Sequence, residues 1–289
     1  MREFRPNHAD LVDSHCHLDT SSFDADRDDV IDRARDAGVR QMIVAGIGPE
    51  SWQQQLDVVA RHPQLFATVG IHPWRLAEYC VRDGVDATLA RCATWMEDLA
   101  QIATHPTVVG IGETGVDGTR HGSDAPWPLQ EHYLLAHLAL AHELDKPLVL
   151  HSLRAGLRAL GTIKSAASRG LRVRGQVHSF SGAAAEAAEW MQLGWMLSVS
   201  GAITWPNNTK GPKTVATIPL DSLLVETDAP DQSLFGGRGE PADLVSVIAR
   251  VAEIRDCDAV DVAVATSQNA RTLFGLPEPT GETETEHDD

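Results

Sequence analysis

The chain has 289 residues, of which 43% are hydrophobic and 22% charged, and its formal net charge is -17 at pH 7. This length allows a large buried core, and no apolar run approaches the roughly 20 residues that span a bilayer. A protein that binds a long polyanion by charge usually carries a basic face. No Lys/Arg cluster is visible in this sequence. We therefore expect any phosphate-bearing substrate to be short or a chain end.

The first motif in the chain is a His-x-His pair, His15 and His17, which follows the short apolar run 11–12. Alternate side chains of an extended strand share a face, so these two imidazoles point the same way at a separation of about 7 Å, with Asp13 behind them. Two such imidazoles can grip one cation. The alternative is a pair of solvated polar residues near the chain terminus.

The rest of the chain repeats a pattern of a short apolar run, a polar turn and a helix-like segment. The apolar runs lie at 11–12, 42–45, 66–69, 108–111, 147–150, 173–177, 196–199 and 223–225. Helices are predicted at 27–37, 49–62, 86–104, 129–144, 154–169, 183–193, 205–217, 242–255 and 259–273, and the seventh has the weakest pattern because it is rich in Pro, Asn and Gly. Uniformly apolar strands alternating with helices predict an α/β fold, a single-domain (β/α)8 TIM barrel, with a doubly wound open sheet as the alternative.

Metal-capable side chains fall at the carboxyl ends of these predicted strands, where a barrel of this kind carries its chemistry. They are His15, His17, His72, Glu113, His151, His178 and Asp228. Taken singly, each has an ordinary alternative, such as a buried histidine bonded to a carbonyl or an acid that caps a helix. Their shared position at one edge favours a site.

Six of these residues offer four imidazoles and two carboxylates, a mixed N/O set that suits divalent ions such as Zn or Mn. Glu113 is the natural bridge between two ions, and a two-metal site can activate water and hold a scissile phosphoryl or carbonyl oxygen. Asp228 is then expected to steer the water and carry its proton, so Glu113 and Asp228 are the predicted catalytic residues.

Several motifs together resemble the TatD family of metal-dependent hydrolases, within the amidohydrolase-type barrels. The matching segments are 13–19, 70–73, 112–117, Gln130, 147–151, 178–182, 198–201, 224–230 and 269–275. The resemblance covers nearly the whole chain and implies a (β/α)8 barrel, a two-metal site with Zn, Mn or Mg, and 3′–5′ exonuclease action on DNA. It also implies that one ion is held by His15, His17, Glu113 and Asp228, and the other by Glu113, His151 and His178.

Two departures from the family pattern concern the substrate. Leu153 stands where the family usually has an arginine, with Arg154 one place later, and the segment from Arg238 to Pro241 lacks the usual asparagine. We expect His72, Arg154 and Arg238 to contact substrate, although both arginines could instead be surface charges. The tryptophans at 74 and 205 could each stack on a base or seal the barrel rim.

The remaining features concern the cellular compartment, the domain boundaries and the function. The start of the chain lacks an apolar leader, which favours a cytoplasmic protein. The four cysteines at 16, 80, 92 and 257 show no paired spacing, which favours reduced thiols. We expect no obligate protein partner. We expect the barrel to span 1–276 and an acidic, disordered tail to span 277–289. The leading hypothesis is a phosphodiesterase acting on DNA ends or short single strands; the alternatives are a hydrolase of a small amide, lactone or phosphate ester, and a metal-free binding barrel.

Overall fold

Eight parallel strands follow one another around the sheet in chain order, in a computed structural model that describes residues 10–234 and 236–279. The strands are β1 Leu11–Cys16, β2 Val39–Ala45, β3 Leu65–Val69, β4 Val108–Gly115, β5 Leu148–His151, β6 Gly175–Val177, β7 Trp195–Val199 and β8 Leu223–Val225. Strands β3 and β5 are buried at every position, as parallel strands covered on both faces should be. The predicted (β/α)8 barrel is confirmed, and the open sheet is excluded.

The first and last strands meet and nearly close the barrel. The His17 amide donates to the Ala229 carbonyl at 2.7 Å, and the Asp228 amide donates to the His15 carbonyl at 3.0 Å. The Ser14 hydroxyl adds a hydrogen bond of 3.0 Å to the Val225 carbonyl. The first and last strands are therefore joined at the edge of the barrel where the predicted site lies.

Helices follow each strand and surround the barrel, and two of them come after β8. They are α1 Arg27–Asp36, α2 Trp52–Arg61, α3 Pro73–Asp83, α4 Val85–Ala90, α5 Cys92–Ile102, α6 Trp127–Glu143, α7 Gly156–Ser168, α8 Ala184–Gln192, α9 Gly211–Val215, α10 Leu244–Arg255 and α11 Ala259–Phe274. The predicted helix 86–104 is two helices, α4 and α5, and the sequence analysis predicted no helix where α3 begins at Pro73. Proline suits the first helical position, where its missing amide hydrogen costs nothing. The weak seventh helix is reduced to the short α9.

The two ends of the barrel interior differ in polarity. At the end where the strands begin, inward side chains such as Val12, Phe66 and Leu224 form one apolar cluster with Phe274 from the end of α11. Toward the other end the buried interior becomes polar, with hydrogen bonds among Ser14, Gln176, Ser198 and Glu226. This polar layer lies beneath the predicted site.

Among the described residues, none of the helices combines the length and the apolar composition needed to cross a bilayer. The Pro277 carbonyl accepts a hydrogen bond of 2.8 Å from the Gln41 side chain, so the described chain remains attached to the barrel there. Most of the predicted acidic tail, 280–289, and the first nine residues lie outside the described residues. The boundary between barrel and tail stays a prediction.

Candidate metal centre

The structure brings together all six side chains that the sequence predicts as metal ligands. They converge at the carboxyl edge of the barrel: His15, His17, Glu113, His151, His178 and Asp228. Glu113 reaches this point because β4 and β5 approach very closely. A Cβ on Gly112 would lie 2.4 Å from the Val149 carbonyl oxygen, so this approach requires glycine there.

One half of the cluster is formed by the His-x-His pair and Asp228. The Nε2 atoms of His15 and His17 lie 3.2 Å apart, and Asp228 Oδ1 lies 3.6 and 3.4 Å from them respectively. Glu113 Oε2 faces the same two nitrogens at 3.4 and 3.6 Å. Two imidazoles and two carboxylate oxygens therefore surround one point.

The other half uses the second oxygen of the same glutamate. Glu113 Oε1 lies 2.9 Å from His151 Nδ1 and 2.9 Å from His178 Nε2, and these two nitrogens are 3.3 Å apart. Glu113 thus presents one oxygen to each pair of histidines. Its side chain is 2% exposed, so solvent screens these contacts weakly.

The donor set fits metal ions because lone pairs face one another across short distances. His17 Nδ1 donates to the Ala45 carbonyl at 3.0 Å, which leaves a lone pair on Nε2 in the neutral ring. That lone pair points at His15 Nε2 and at carboxylate oxygens. Because these lone pairs repel one another, the arrangement needs a cation or extra protons between the groups. Buried nitrogen and carboxylate ligands of this kind suit zinc and neighbouring divalent ions.

The electrostatics of the cluster also favour positive charge. Burial raises the pKa of Glu113, but the imidazoles of His178 and His72 outweigh this and hold the pKa well below its usual value. Burial lowers the pKa of His178, yet the Glu113 carboxylate raises it well above the usual value. The carboxylates therefore stay ionised, and positive charge next to them is favoured.

Asp117, to which the sequence analysis gave no role, orients one of these imidazoles. His151 Nε2 donates to Asp117 Oδ2 at 2.8 Å, so the other ring nitrogen faces Glu113. Asp117 is 1% exposed, and its backbone amide donates to the buried side chain of Gln130 at 2.7 Å. Carboxylates that hold a ligand histidine in this way fix its tautomer and direction. The only sequence signal was its place at the end of the motif 112–117.

Glu226 is the corresponding buried carboxylate beside His178. Its Oε1 lies 3.4 Å from His178 Nδ1 and accepts the Ser179 amide at 2.6 Å, while Oε2 accepts from Gln176 at 2.7 Å. The side chain is fully buried. Glu226 was missed as well, because nothing in the run 223–228 distinguishes it from an acid at a strand end.

His72, predicted to contact substrate, also lies within the cluster. Its Nε2 is 3.2 Å from Glu113 Oε1, close enough for the ring to be counted among possible metal ligands. Its Nδ1, however, accepts the Trp74 backbone amide at 3.0 Å, so the proton of the neutral ring resides on Nε2. Burial lowers the pKa of His72 to about 4, which keeps the ring neutral. We therefore interpret His72 as a hydrogen-bond donor and not as a ligand.

The two arginines expected to bind phosphate occupy different positions. Arg154 is exposed just after β5. Arg238 is bound at 2.7 Å through each terminal nitrogen to Asp26, with further bonds to Glu240 at 2.9 Å and to the Ser22 carbonyl. These contacts brace the rim of the barrel, and a phosphate contact by Arg238 would have to compete with them, so that contact stays a prediction.

Comparisons with known proteins agree with this geometry. A family model described as TatD related DNase matches residues 12–275. The chain is 34% identical to a metal-dependent hydrolase, YjjV of Escherichia coli strain K12, over 92% of this chain and 98% of the relative. It is 34% identical to a protein of Erwinia tasmaniensis named 3′-5′ ssDNA/RNA exonuclease TatD, over 92% of this chain and 100% of the relative. The crystal structure of YjjV superposes with a TM-score of 0.80 at 32% identity, covering 93% of this chain and 100% of that one.

Proposed function

This chain belongs to the TatD family of metal-dependent hydrolases, and on that premise we propose that it is a phosphodiesterase that shortens single-stranded DNA from its 3′ end. Relatives named as 3′-5′ ssDNA/RNA exonucleases support this reaction at about one third identity. The observation that carries the proposal is the Glu113 carboxylate, whose two oxygens face two separate pairs of imidazoles.

We assign one ion to His15, His17, Asp228 and Glu113 Oε2, and a second ion to Glu113 Oε1, His151 and His178. Bound there, two divalent ions would lower the pKa of a coordinated water and neutralise the charge of a phosphodiester. A single bridging carboxylate makes both positions depend on one side chain. Loss of Glu113 should therefore affect both ions together.

The protein's own groups then position the reaction. Asp228 is buried, but hydrogen bonding and nearby imidazoles, His17 first, hold its pKa at about 2, so it is ionised at neutral pH. Its Oδ2 accepts the Gln232 side chain at 2.5 Å, which fixes the carboxylate plane. Asp228 can thus align the attacking water and accept its proton, while the His72 Nε2–H group donates to a phosphoryl oxygen.

The bond changes follow from the position of the scissile phosphate at the 3′ end. Water oxygen bonds to phosphorus, and the bond from phosphorus to the 3′ oxygen of the preceding nucleotide breaks. That oxygen leaves with a proton, so the products are a 5′-mononucleotide and a chain shortened by one with a free 3′ hydroxyl. The reaction is a hydrolysis and needs no further co-reactant.

One set of observations favours a second candidate, a hydrolase of a small ester or amide on the same site. The formal charge of -17 opposes binding to a long polyanion, and the terminal nitrogens of Arg238 are already bound to carboxylates. Leu153, two residues after β5, is 40% exposed and offers apolar contact. A small neutral substrate would suit these features.

The test is hydrolysis of a short single-stranded DNA labelled at its 5′ end. Protein stripped of metal is reloaded separately with Mg, Mn and Zn, and the Glu113→Ala variant is assayed beside Glu253→Ala, which changes an exposed glutamate on α10. We expect a ladder shortening from the 3′ end that only Glu113→Ala abolishes, together with loss of both ions by elemental analysis. Intact DNA in the presence of two bound ions would favour the small ester or amide instead.

A further inference from the structure

Trp74 is an exposed aromatic residue held beside the candidate metal centre. It follows His72 and Pro73 at the start of α3, and it is 38% exposed. Its ring centroid lies 5.0 Å from that of His72 and 6.0 Å from that of His151. A large planar surface therefore stands next to two imidazoles of the site.

The edge of this ring is tied to the buried carboxylate that orients His151. Trp74 Nε1 donates to Asp117 Oδ2 at 2.8 Å, and His151 Nε2 donates to the same oxygen at 2.8 Å. This hydrogen bond fixes the orientation of the indole ring at the edge of the site. One oxygen thus sets the position of both the aromatic surface and a predicted metal ligand.

A second ring borders the same surface. His121, exposed in the segment after β4, has its centroid 5.3 Å from that of Trp74, with the two planes inclined at 49°. The segment is organised by Gln130, whose side chain donates to the Gly122 carbonyl at 3.1 Å and the Ala125 carbonyl at 2.8 Å. The two rings form an aromatic corner open to solvent.

We propose that Trp74 is the stacking platform for the base of the 3′-terminal nucleotide, whose 5′ phosphate is cleaved, with His121 as the bordering ring. This inference rests on the proposed nuclease function and specifies its substrate subsite. A nucleotide separates its base from its phosphate by one sugar, which matches the short step from the His151 ring to the Trp74 ring. Stacking accepts any base, because every base has a π face.

The charge of the protein makes such a contact important. With a net charge of -17 the protein surface outside the proposed metal centre attracts phosphates weakly, so we expect base stacking to supply much of the remaining affinity for the terminal nucleotide. A base within a duplex is already stacked and paired. The platform therefore selects unpaired ends, and it favours purines over pyrimidines because purines offer the larger ring surface.

The test compares two single-stranded DNAs that differ only at the 3′-terminal nucleotide, one with a base and one abasic. In both, the terminal linkage is a methylphosphonate, so that binding to the metal-loaded protein is measured by fluorescence anisotropy without hydrolysis. The variant is Trp74→Leu, and its control is Trp205→Leu. Trp205 is 39% exposed at the same end of the barrel, and its Nε1 donates to the Ser233 carbonyl.

We expect the wild type and Trp205→Leu to bind the base-bearing DNA about 10-fold more tightly than the abasic DNA. Trp74→Leu should lose this difference while keeping the affinity for the abasic DNA. Trp74→Phe keeps a ring and lacks the Nε1–H group, so it should retain most of the base preference.

Three results would overturn the platform. They are equal weakening of both DNAs by Trp74→Leu, an unchanged base preference in Trp74→Leu, and loss of that preference in Trp205→Leu. Hydrolysis of unmodified base-bearing and abasic DNA at equal rates by the wild type would reject the platform and leave the nuclease function intact. Absence of both DNA binding and hydrolysis in metal-loaded wild type would reject the proposed function, and the platform with it.

Discussion

Replacing Asp117 by asparagine should weaken metal binding without changing the size of the side chain. The carboxylate accepts four hydrogen bonds: His151 Nε2 and Trp74 Nε1 on Oδ2, and the Thr119 amide and hydroxyl on Oδ1. An amide offers one acceptor oxygen. If its NH2 group faces His151 and Trp74, both ring N–H groups lose their acceptor; if it faces Thr119, the hydroxyl can accept from it and only the Thr119 amide is left unsatisfied. Each buried group left unsatisfied costs about 1–3 kcal/mol.

The expected consequence is a loss of about 10- to 100-fold in affinity for the ion assigned to His151, or about 1.4–2.7 kcal/mol. Affinity is measured by competition with a chromogenic chelator, and the absorption spectrum of the cobalt-loaded protein reports on ligand geometry. Asp57→Asn makes the same chemical change at an exposed position on α2 and should leave the metal affinity and the cobalt spectrum unaltered. Unchanged affinity and an unchanged cobalt spectrum in Asp117→Asn would refute the claim that Asp117 orients His151.

Three further predictions concern other parts of the molecule. Asp228→Asn should keep much of the bound metal by elemental analysis but lower kcat on labelled DNA, and unchanged kcat would remove Asp228 from proton transfer. Arg238→Ala should lower the melting temperature by about 2–4 °C, because it removes the bonds to Asp26 and Glu240. Arg238→Ala and Arg154→Ala should each raise KM on labelled DNA, and an unchanged KM in either variant would remove that arginine from the substrate contacts. Burial lowers the pKa of His137 from 6.5 to about 4. Between these two pH values the unfolded chain binds more protons than the folded protein. The free energy of unfolding should therefore fall as pH drops from 6.5 toward 4. His137→Gln should flatten that fall in thermal melts, and an equal fall in the variant would assign it to other groups.

Much of the fold followed from the sequence because its signals are local. A short apolar run, a polar turn and an amphipathic segment can each be recognised within about ten residues, and their repetition predicts the parallel barrel. The same logic located the candidate site, since strand ends in such a barrel meet at one edge. The sequence analysis predicted no helix between residues 70 and 85, whereas α3 begins at Pro73, a residue that suits the first helical position.

The contacts that were missed join residues distant in the chain. Arg238 resembled a free cation in the sequence, but its carboxylate partner, Asp26, is 212 positions away. Asp117 and His151 are 34 positions apart, and Glu226 and Gln176 are 50 apart. Composition and spacing do not show which distant residues pair. Candidate metal ligands can therefore be identified from a sequence more readily than the groups that orient them.

The closure of the barrel and the assembly of the candidate site use the same residues. Asp13 on β1 accepts the Thr227 amide at 3.0 Å and the Thr227 hydroxyl at 2.5 Å, while His15 and Asp228 are joined through their backbones. His15 and Asp228 are also assigned to one ion. An ion bound there would favour the closed barrel over open forms, because a ligand stabilises the state that binds it. A metal ion held by His15 and Asp228 would therefore also hold together the first and last strands of the barrel.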